Sequence, residues 1–257
     1  MMNWKSIKNQ MTTFLREEVS KTGLSKVTVG ISGGLDSAVV AVLCKEVFGD
    51  NMSGVFMPSQ FSSKESIEDA KELCERFNIK YEIVSIAPMV DGYFSSNPDA
   101  TPLRIGNFSA RMRMSVLYDI SARDNSLVVG TSNKSEILLG YGTIFGDTAC
   151  ALNPIGEMYK SDEFAFAEYL DVPASILNKK PSADLWAGQS DEEEIGYSYQ
   201  VMDNMLKKMI DNGLSKEDLI KSTEDKELVE MLEKRIKNNA FKGRLPLIAR
   251  IDFKEQK

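Results

Sequence analysis

The sequence predicts an α/β fold, a doubly wound and mostly parallel sheet with helices on both faces and additional helices at the C-terminal end. Short apolar stretches recur at 26–31, 53–57, 81–86 and 126–130, each with the length of a buried strand. Longer stretches of helical period separate them, which is the alternation of βαβ units. Glycine-bearing turns, Gly30 to Ser37 and Gly130 to Ser132, follow two of these strands, at the carboxyl ends where such sheets bind ligands.

Residues 3–20 carry Trp4, Ile7, Met11, Phe14 and Leu15 at helical spacing, so an amphipathic helix should pack on the domain. Glu17 and Glu18 on its polar face argue against a membrane-surface helix. Strand 26–31 feeds a glycine turn and then an almost unbroken apolar run from Ala38 to Cys44, a buried helix that Gly49 stops. Ser62 and Glu65 stand in capping-box register before a helix that starts near Ser63. A long helix is expected over 104–123. The glycine-rich segment 140–156 and the loop 178–190 read as mobile covers that exclude water from a reactive intermediate. Beyond Asp191 the chain is helical and charged, with Glu192, Glu193 and Glu194 as a solvated first turn favoured by the helix dipole.

The chain should form a single domain over 1–257, with an α/β core of about 22–190 on which helix 3–20 and helices 191–257 pack. It has 257 residues, 42% of them hydrophobic, a formal net charge of −7 and no histidine. The charge argues against nucleic acid as partner. Missing histidine removes the commonest general base and metal ligand, so any such chemistry rests on carboxylates, lysine, hydroxyls and the substrate. Cys44, Cys74 and Cys150 form no C-x-x-C pair, and the first two fall on apolar helix faces as buried thiols. With no apolar run of about 18 residues and no signal-peptide core at the N-terminus, a cytoplasmic location without membrane contact is expected.

The chemistry centres on Gly30-Ile31-Ser32-Gly33-Gly34-Leu35-Asp36-Ser37. Adjacent glycines allow a tight bend and close approach of a ligand to the backbone. Hydroxyls of Ser32 and Ser37, with free amides at a helix start, suit a phosphate or pyrophosphate. Asp36 would repel such an anion unless a divalent cation lies between them, and Mg²⁺ prefers oxygen ligands of this kind. The turn is neither Walker A nor a dinucleotide G-x-G-x-x-G.

The octapeptide resembles the PP-loop of the ATP pyrophosphatase superfamily. Further along come Gly130-Thr131-Ser132-Asn133-Lys134-Ser135-Glu136, Gly146-Asp147, Asn153-Pro154, Tyr159-Lys160-Ser161 and Lys180-Pro181-Ser182-Ala183-Asp184-Leu185. In this order they resemble the ammonia-dependent NAD synthetases, from about Lys26 to Asp191. The resemblance implies an adenine nucleotide alpha hydrolase-like fold and a ligase that forms a carbon–nitrogen bond. Deamido-NAD, ATP and ammonia would give NAD, AMP and pyrophosphate through an adenylated nicotinate. It implies ATP phosphates on Gly30 to Ser37, Mg²⁺ on Asp36 and Glu136, and ATP contacts from Thr131, Lys160 and Ser182. Lys160 would offset charge on the departing pyrophosphate, so Asp36, Glu136 and Lys160 form the implied catalytic set. Arg111 and Asp147 would contact deamido-NAD, although Arg111 or Arg113 could instead pair with an acid on a solvated face. A homodimer is implied, for which the apolar residues of helix 104–123 offer a surface.

The chain departs from the family in three places. The usual dinucleotide-contacting lysine and aspartate fall on Ile144 and Ala151, and the usual C-terminal His-Lys pair has no counterpart, leaving Lys242 or Arg244 in its place. The pattern leaves no room for a glutaminase domain, so free ammonia or ammonia from a separate partner is expected. The competing expectations are another PP-loop enzyme, such as a tRNA-modifying one, and a non-catalytic nucleotide-binding module.

Overall fold

A computed structural model describes residues 2–182, 191–223, 225–244 and 246–251. Helix α1 (Trp4–Lys21), capped by the Asn3 side chain, precedes β1 (Lys26–Gly30), α2 (Leu35–Phe48), β2 (Met52–Phe56), α3 (Lys64–Arg76) and β3 (Lys80–Ile83). Then come α4 (Ala87–Phe94), which the sequence reading missed, α5 (Pro102–Asp124) and β4 (Ser126–Val129). Among the described residues the sheet has four parallel strands in the order β3-β2-β1-β4. The chain builds outward from β1 on one side and then returns to pair β4 on the other. The switch in strand order therefore lies between β1 and β4, where a parallel sheet opens a crevice at its carboxyl edge.

Both faces of the sheet are covered, as the near-continuous apolar strands require. On one face α2 is buried from Leu35 through Cys44 apart from Asp36. It packs with α1, α3 and the later α7 (Lys160–Tyr169) and α8 (Ala174–Leu177) in one core. A second core on the other face joins Val55 and Met57 to Ile86 and Val90 of the α4 segment and to Val116 and Ile120 of α5. Burying each such Val, Leu or Ile contributes about 1.5–3 kcal/mol. Cys44 and Cys74 are buried free thiols, and burial pushes Cys74 up to about 12. A third core joins Leu139 of α6 (Lys134–Leu139) to the C-terminal helices α9 (Asp191–Ile195), α10 (Tyr199–Leu206), α11 (Lys216–Ser222) and α12 (Lys226–Asn239).

Two local expectations change. The cap of α3 is Ser63, whose side chain accepts from Ser66 N at 2.9 Å. Ser62 instead donates nothing to that helix and accepts from Ser59 N, so the capping register is one residue later than the sequence pattern. Segment 140–156 is not wholly a cover. Ala151 N donates to Val128 O and Gly130 N to Leu152 O, so this stretch extends the sheet beside β4. Gly130 is needed there, because a Cβ would lie 2.4 Å from Cys150 Sγ. The expected cover 178–190 is described only to Ser182, and Ala183 to Ser190 lie outside the described residues. Among the described residues no helix is long and apolar enough to cross a membrane.

Candidate active site

A cavity of about 820 Å³ opens at the carboxyl ends of β1 and β4, within the size range of small-molecule sites. Gly30, Ile31, Ser32, Gly34, Leu35, Asp36 and Ser37 line it from the β1 side, and Thr131 and Glu136 from the β4 side. Gly33 does not line it. Its φ is +81°, and a Cβ would sit 2.1 Å from the Ser66 carbonyl oxygen, so this glycine makes the bend while its neighbours face the ligand space. The serines hold the turn: Ser37 Oγ accepts from Ser32 N at 3.2 Å, and Ser32 Oγ accepts from Gly34 N at 3.2 Å. Two of the amides expected to be free are thus occupied by the loop's own hydroxyls. The start of α2 has Gly34 as its cap residue and no side-chain cap, which leaves the helix N-terminus facing the cavity as an anion site.

Asp36, in the first turn of α2, is the hub. Its Oδ1 accepts from Asn133 Nδ2 at 2.7 Å, and its Oδ2 from Lys160 Nζ at 2.5 Å. Burial pushes the Asp36 carboxyl upward, but the Lys160 ammonium and hydrogen bonds from Glu163, Lys160 and Asn133 outweigh it and hold the group below its ordinary value. Asn133 caps α6 in a capping box: Glu136 N donates to Asn133 Oδ1 at 2.9 Å and Asn133 N to Glu136 Oε2 at 3.3 Å. That box turns the Glu136 carboxylate toward the glycine loop. Burial and the neighbouring Asp36 charge push Glu136 well above the ordinary carboxylate range.

Lys160 is the first residue of α7 and only 3% of its side chain is exposed. One turn on, Glu163 is fully buried behind it, with Oε2 at 3.3 Å from Nζ. Among the described residues neither Glu163 oxygen accepts an aligned hydrogen bond, and burial and Asp36 push this carboxyl well up. Burial would lower the Lys160 pKa, but Asp36, Glu163 and Glu136 together raise it. One buried ammonium thus stands among three carboxyl groups.

Of the other residues singled out by sequence, Asp147, Lys160 and Ser182 line the cavity. Asp147 Oδ1 accepts from Thr143 N at 2.9 Å, and burial pushes its carboxyl up. Arg111 lies off the cavity wall, with Nε and Nη2 donating to Ile144 O at 3.3 and 3.2 Å. Arg113 lines the cavity, and its Nε donates to Met57 O at 3.1 Å. Of the two C-terminal candidates Lys242 lines the cavity, its Nζ donating to Gly140 O at 2.7 Å and Gly142 O at 3.0 Å. Sequence reasoning passed over Asn133 and Glu163 as individuals. The Asn133-x-x-Glu136 capping spacing and the Lys160-x-x-Glu163 spacing were the available signals. It also treated Glu194 as merely solvated, whereas Glu194 lines the cavity and accepts from Tyr141 OH at 2.8 Å.

Comparison with known proteins agrees with this geometry. The NAD synthase family model matches residues 7–246. The chain is 55% identical to an NH(3)-dependent NAD(+) synthetase of Wolinella succinogenes over 98% of each chain. Among solved structures it is similar to the NH3-dependent NAD synthetase of Campylobacter jejuni in complex with nitrate (42% identity, TM-score 0.83, 97% and 100% of the two chains). It is also similar to the NMN synthetase of Francisella tularensis (32% identity, TM-score 0.87, 98% and 100%). A PP-loop between β1 and α2, a second strand end bearing Thr131 and Glu136, and a match along nearly the whole chain place this protein in the NAD synthase family, among the ammonia-dependent ligases that form a carbon–nitrogen bond.

Proposed function

We propose that this chain amidates deamido-NAD to NAD with ammonia, consuming ATP and releasing AMP and pyrophosphate through an adenylated nicotinate. The observation that carries this reading is the convergence of Asp36, Glu136 and Lys160 over an uncapped helix N-terminus at the switch point of the sheet. Ser32, Ser37 and the first amides of α2 would seat the β and γ phosphates. The nicotinate carboxylate then attacks the α phosphorus, and pyrophosphate departs. Lys160 faces the charge that grows on the leaving oxygens, a role in which a fixed cation lowers the barrier. Neutral ammonia attacks the acyl carbon of the adenylate, its nitrogen gives up one proton to water, and AMP leaves with the electron pair of the broken C–O bond. No histidine is needed, because ammonia brings its own lone pair.

Mg²⁺ fits the residues present. Asp36 and Glu136 offer hard oxygen donors on one cavity, and three carboxyl groups there outnumber one lysine. Among the described residues no trio of side chains is placed to hold a metal, as expected for an ion completed by phosphate oxygens and water. Bound there, Mg²⁺ would screen the anionic nucleophile from the triphosphate and stabilise the departing charge. Exposed Met89, Tyr93 and Leu103 on α4 and α5 are 43%, 49% and 57% accessible and supply an apolar face for a homodimer. We read the protein as cytoplasmic.

The likeness to an NMN synthetase favours a second reading, in which nicotinate mononucleotide is also accepted. Both are tested by measuring pyrophosphate release with Mg²⁺-ATP and ammonium, with deamido-NAD or nicotinate mononucleotide as acceptor and glutamine as the alternative nitrogen source. Release that requires deamido-NAD and ammonium supports the main reading. Turnover on the mononucleotide alone, or efficient use of glutamine, would refute it.

A further inference from the structure

The first N–H groups of a helix have no partner within it. In α7 the ladder starts where Glu163 N donates to Tyr159 O, and Asp162 N shares that carbonyl, both at 3.0 Å. Lys160 N and Ser161 N come before it, and among the described residues the N-cap Tyr159 supplies no side-chain bond to them. Both are capped from outside the helix. Lys160 N donates to Ser135 Oγ at 3.0 Å, and Ser161 N donates to Asp203 Oδ2 at 2.8 Å. The backbone at Lys160 is therefore held by side chains 25 and 42 positions away.

Asp203 ties these groups together. Its Oδ1 accepts from Ser135 Oγ at 2.6 Å, so the Ser135 hydroxyl receives the Lys160 amide while giving its own proton to Asp203. Ser135 adjoins Glu136 in the first turn of α6, and Lys134 N of the same turn donates to Met158 O at 2.8 Å. One carboxylate thus meets the start of the helix that carries Glu136 and the start of the helix that carries Lys160. Ser135 and Asp203 are both 0% exposed, and neither lines the cavity. Burial pushes the Asp203 carboxyl up, and the donors from Ser135 and Ser161 pull it back. The positive end of α7 favours a carboxylate at this point. Asp203 stands on the buried face of α10 beside Met202 and Leu206 of the third core, so the packing of the C-terminal helices reaches the site through it.

We propose that Asp203 is a positioning residue, through which the C-terminal helices fix the backbone of Lys160 relative to Glu136. This inference rests on the reading in which Lys160 faces the departing pyrophosphate. A lysine at the first position of a helix takes its reach from where that helix begins, and a charge that must meet a transition state has to be placed closely. Asp203 sets that starting point twice, directly at Ser161 N and through Ser135 at Lys160 N, without touching substrate.

Kinetics and crystallography of the full chain test it. Asp203→Asn keeps the side-chain volume but leaves one acceptor oxygen where two are used. It should lower kcat about tenfold, since misplacing a reacting group by about 1 Å costs up to about 10²-fold. The KM values for ATP and deamido-NAD should stay within about twofold. In a Lys160→Met background the same change should cost less than about twofold in kcat. A crystal structure of Asp203→Asn should show the start of α7 drawn away from Ser135 and Lys160 Nζ off Asp36 Oδ2. Ser135→Ala removes the hydroxyl between Asp203 and Lys160 N and should give the same loss and the same cancellation, so it decides the matter if Asp203→Asn fails to fold. Equal losses with and without Lys160, a lower melting temperature at unchanged kcat per folded chain, or a variant structure with Lys160 still on Asp36 would overturn the assignment. Failure of the wild-type chain to release pyrophosphate would strike the proposed reaction instead, and the variant structure would still decide whether Asp203 places Lys160.

Discussion

Lys160 Nζ lies 2.5 Å from Asp36 Oδ2, so a lysine ammonium sits on the carboxylate oxygen that a divalent cation at the proposed site would share. The pair is fully inside the protein on the lysine side, with 3% exposure, and less so on the aspartate side, with 21%. On the proposed reading, Mg²⁺-ATP arriving at Asp36 would draw Lys160 from the carboxylate toward the phosphates. Asp36→Asn should lower kcat by about 10²–10³-fold, the usual cost of losing one electrostatic element of a transition state. Steady-state kinetics of pyrophosphate release would check this, and near-wild-type turnover would contradict it.

Glu163 Oε2 lies 3.3 Å from Lys160 Nζ, and on the proposed reading it would act through that lysine. In the double-mutant cycle, Lys160→Met alone should cost about 10²–10³-fold in kcat and Glu163→Gln alone about tenfold. In the Lys160→Met background Glu163→Gln should add less than about twofold, because the residue it holds is gone. Equal losses in both backgrounds would mean that Glu163 only supports the fold.

The same carboxyl governs a pH dependence. Burial first, and Asp36 second, raise Glu163 well above its ordinary 4.5. Its stabilising contribution is complete below that value and is lost as pH rises through the raised folded value. Asp36 is depressed, so its contribution is present above its ordinary 3.8 and is lost only as pH falls through the lower folded value. Magnesium-free protein should lose thermal stability progressively as pH rises above about 4.5, the ordinary value of the group. Glu163→Gln should flatten that slope and melt higher than wild type at the alkaline end, by about 2–4 °C for each kcal/mol recovered. A wild-type melting temperature that rises with pH over this range, with no change in the variant, would contradict the assignment.

Gly33→Ala should destabilise the chain by more than the about 1 kcal/mol of an ordinary left-handed substitution, since the new methyl would meet the Ser66 backbone carbonyl at 2.1 Å. Gly34→Ala meets only Ser32 Oγ, at 3.2 Å, and should fold normally while weakening ATP binding. Thermal melts beside calorimetric ATP binding would separate the two. Equal melting temperatures for both variants would count against the division of labour in the loop.

The layered fold was legible because period-2 apolar strands and glycine stops are local signals, and β1, β2 and β4 lie within a residue of their expected bounds. The glycine loop was legible as well, since a strand, two glycines and a carboxylate within eight residues have few physical readings. What stayed hidden depends on contacts distant in sequence. Asn133 reaches Asp36 across 97 positions and Lys160 across 124, and no periodicity encodes such a meeting. Residues 150–152 read as loop because their hydrogen bonds go to β4 rather than to their neighbours.

A crystal structure with Mg²⁺ and a non-hydrolysable ATP analogue tests the central claim most directly. The expected result is β and γ phosphates seated over Ser32, Gly34 and Ser37, cation density between Asp36 and Glu136, and Lys160 Nζ moved from Asp36 onto a phosphate oxygen. A nucleotide bound away from this loop, with Lys160 still on Asp36 and no density between the two carboxylates, would contradict it.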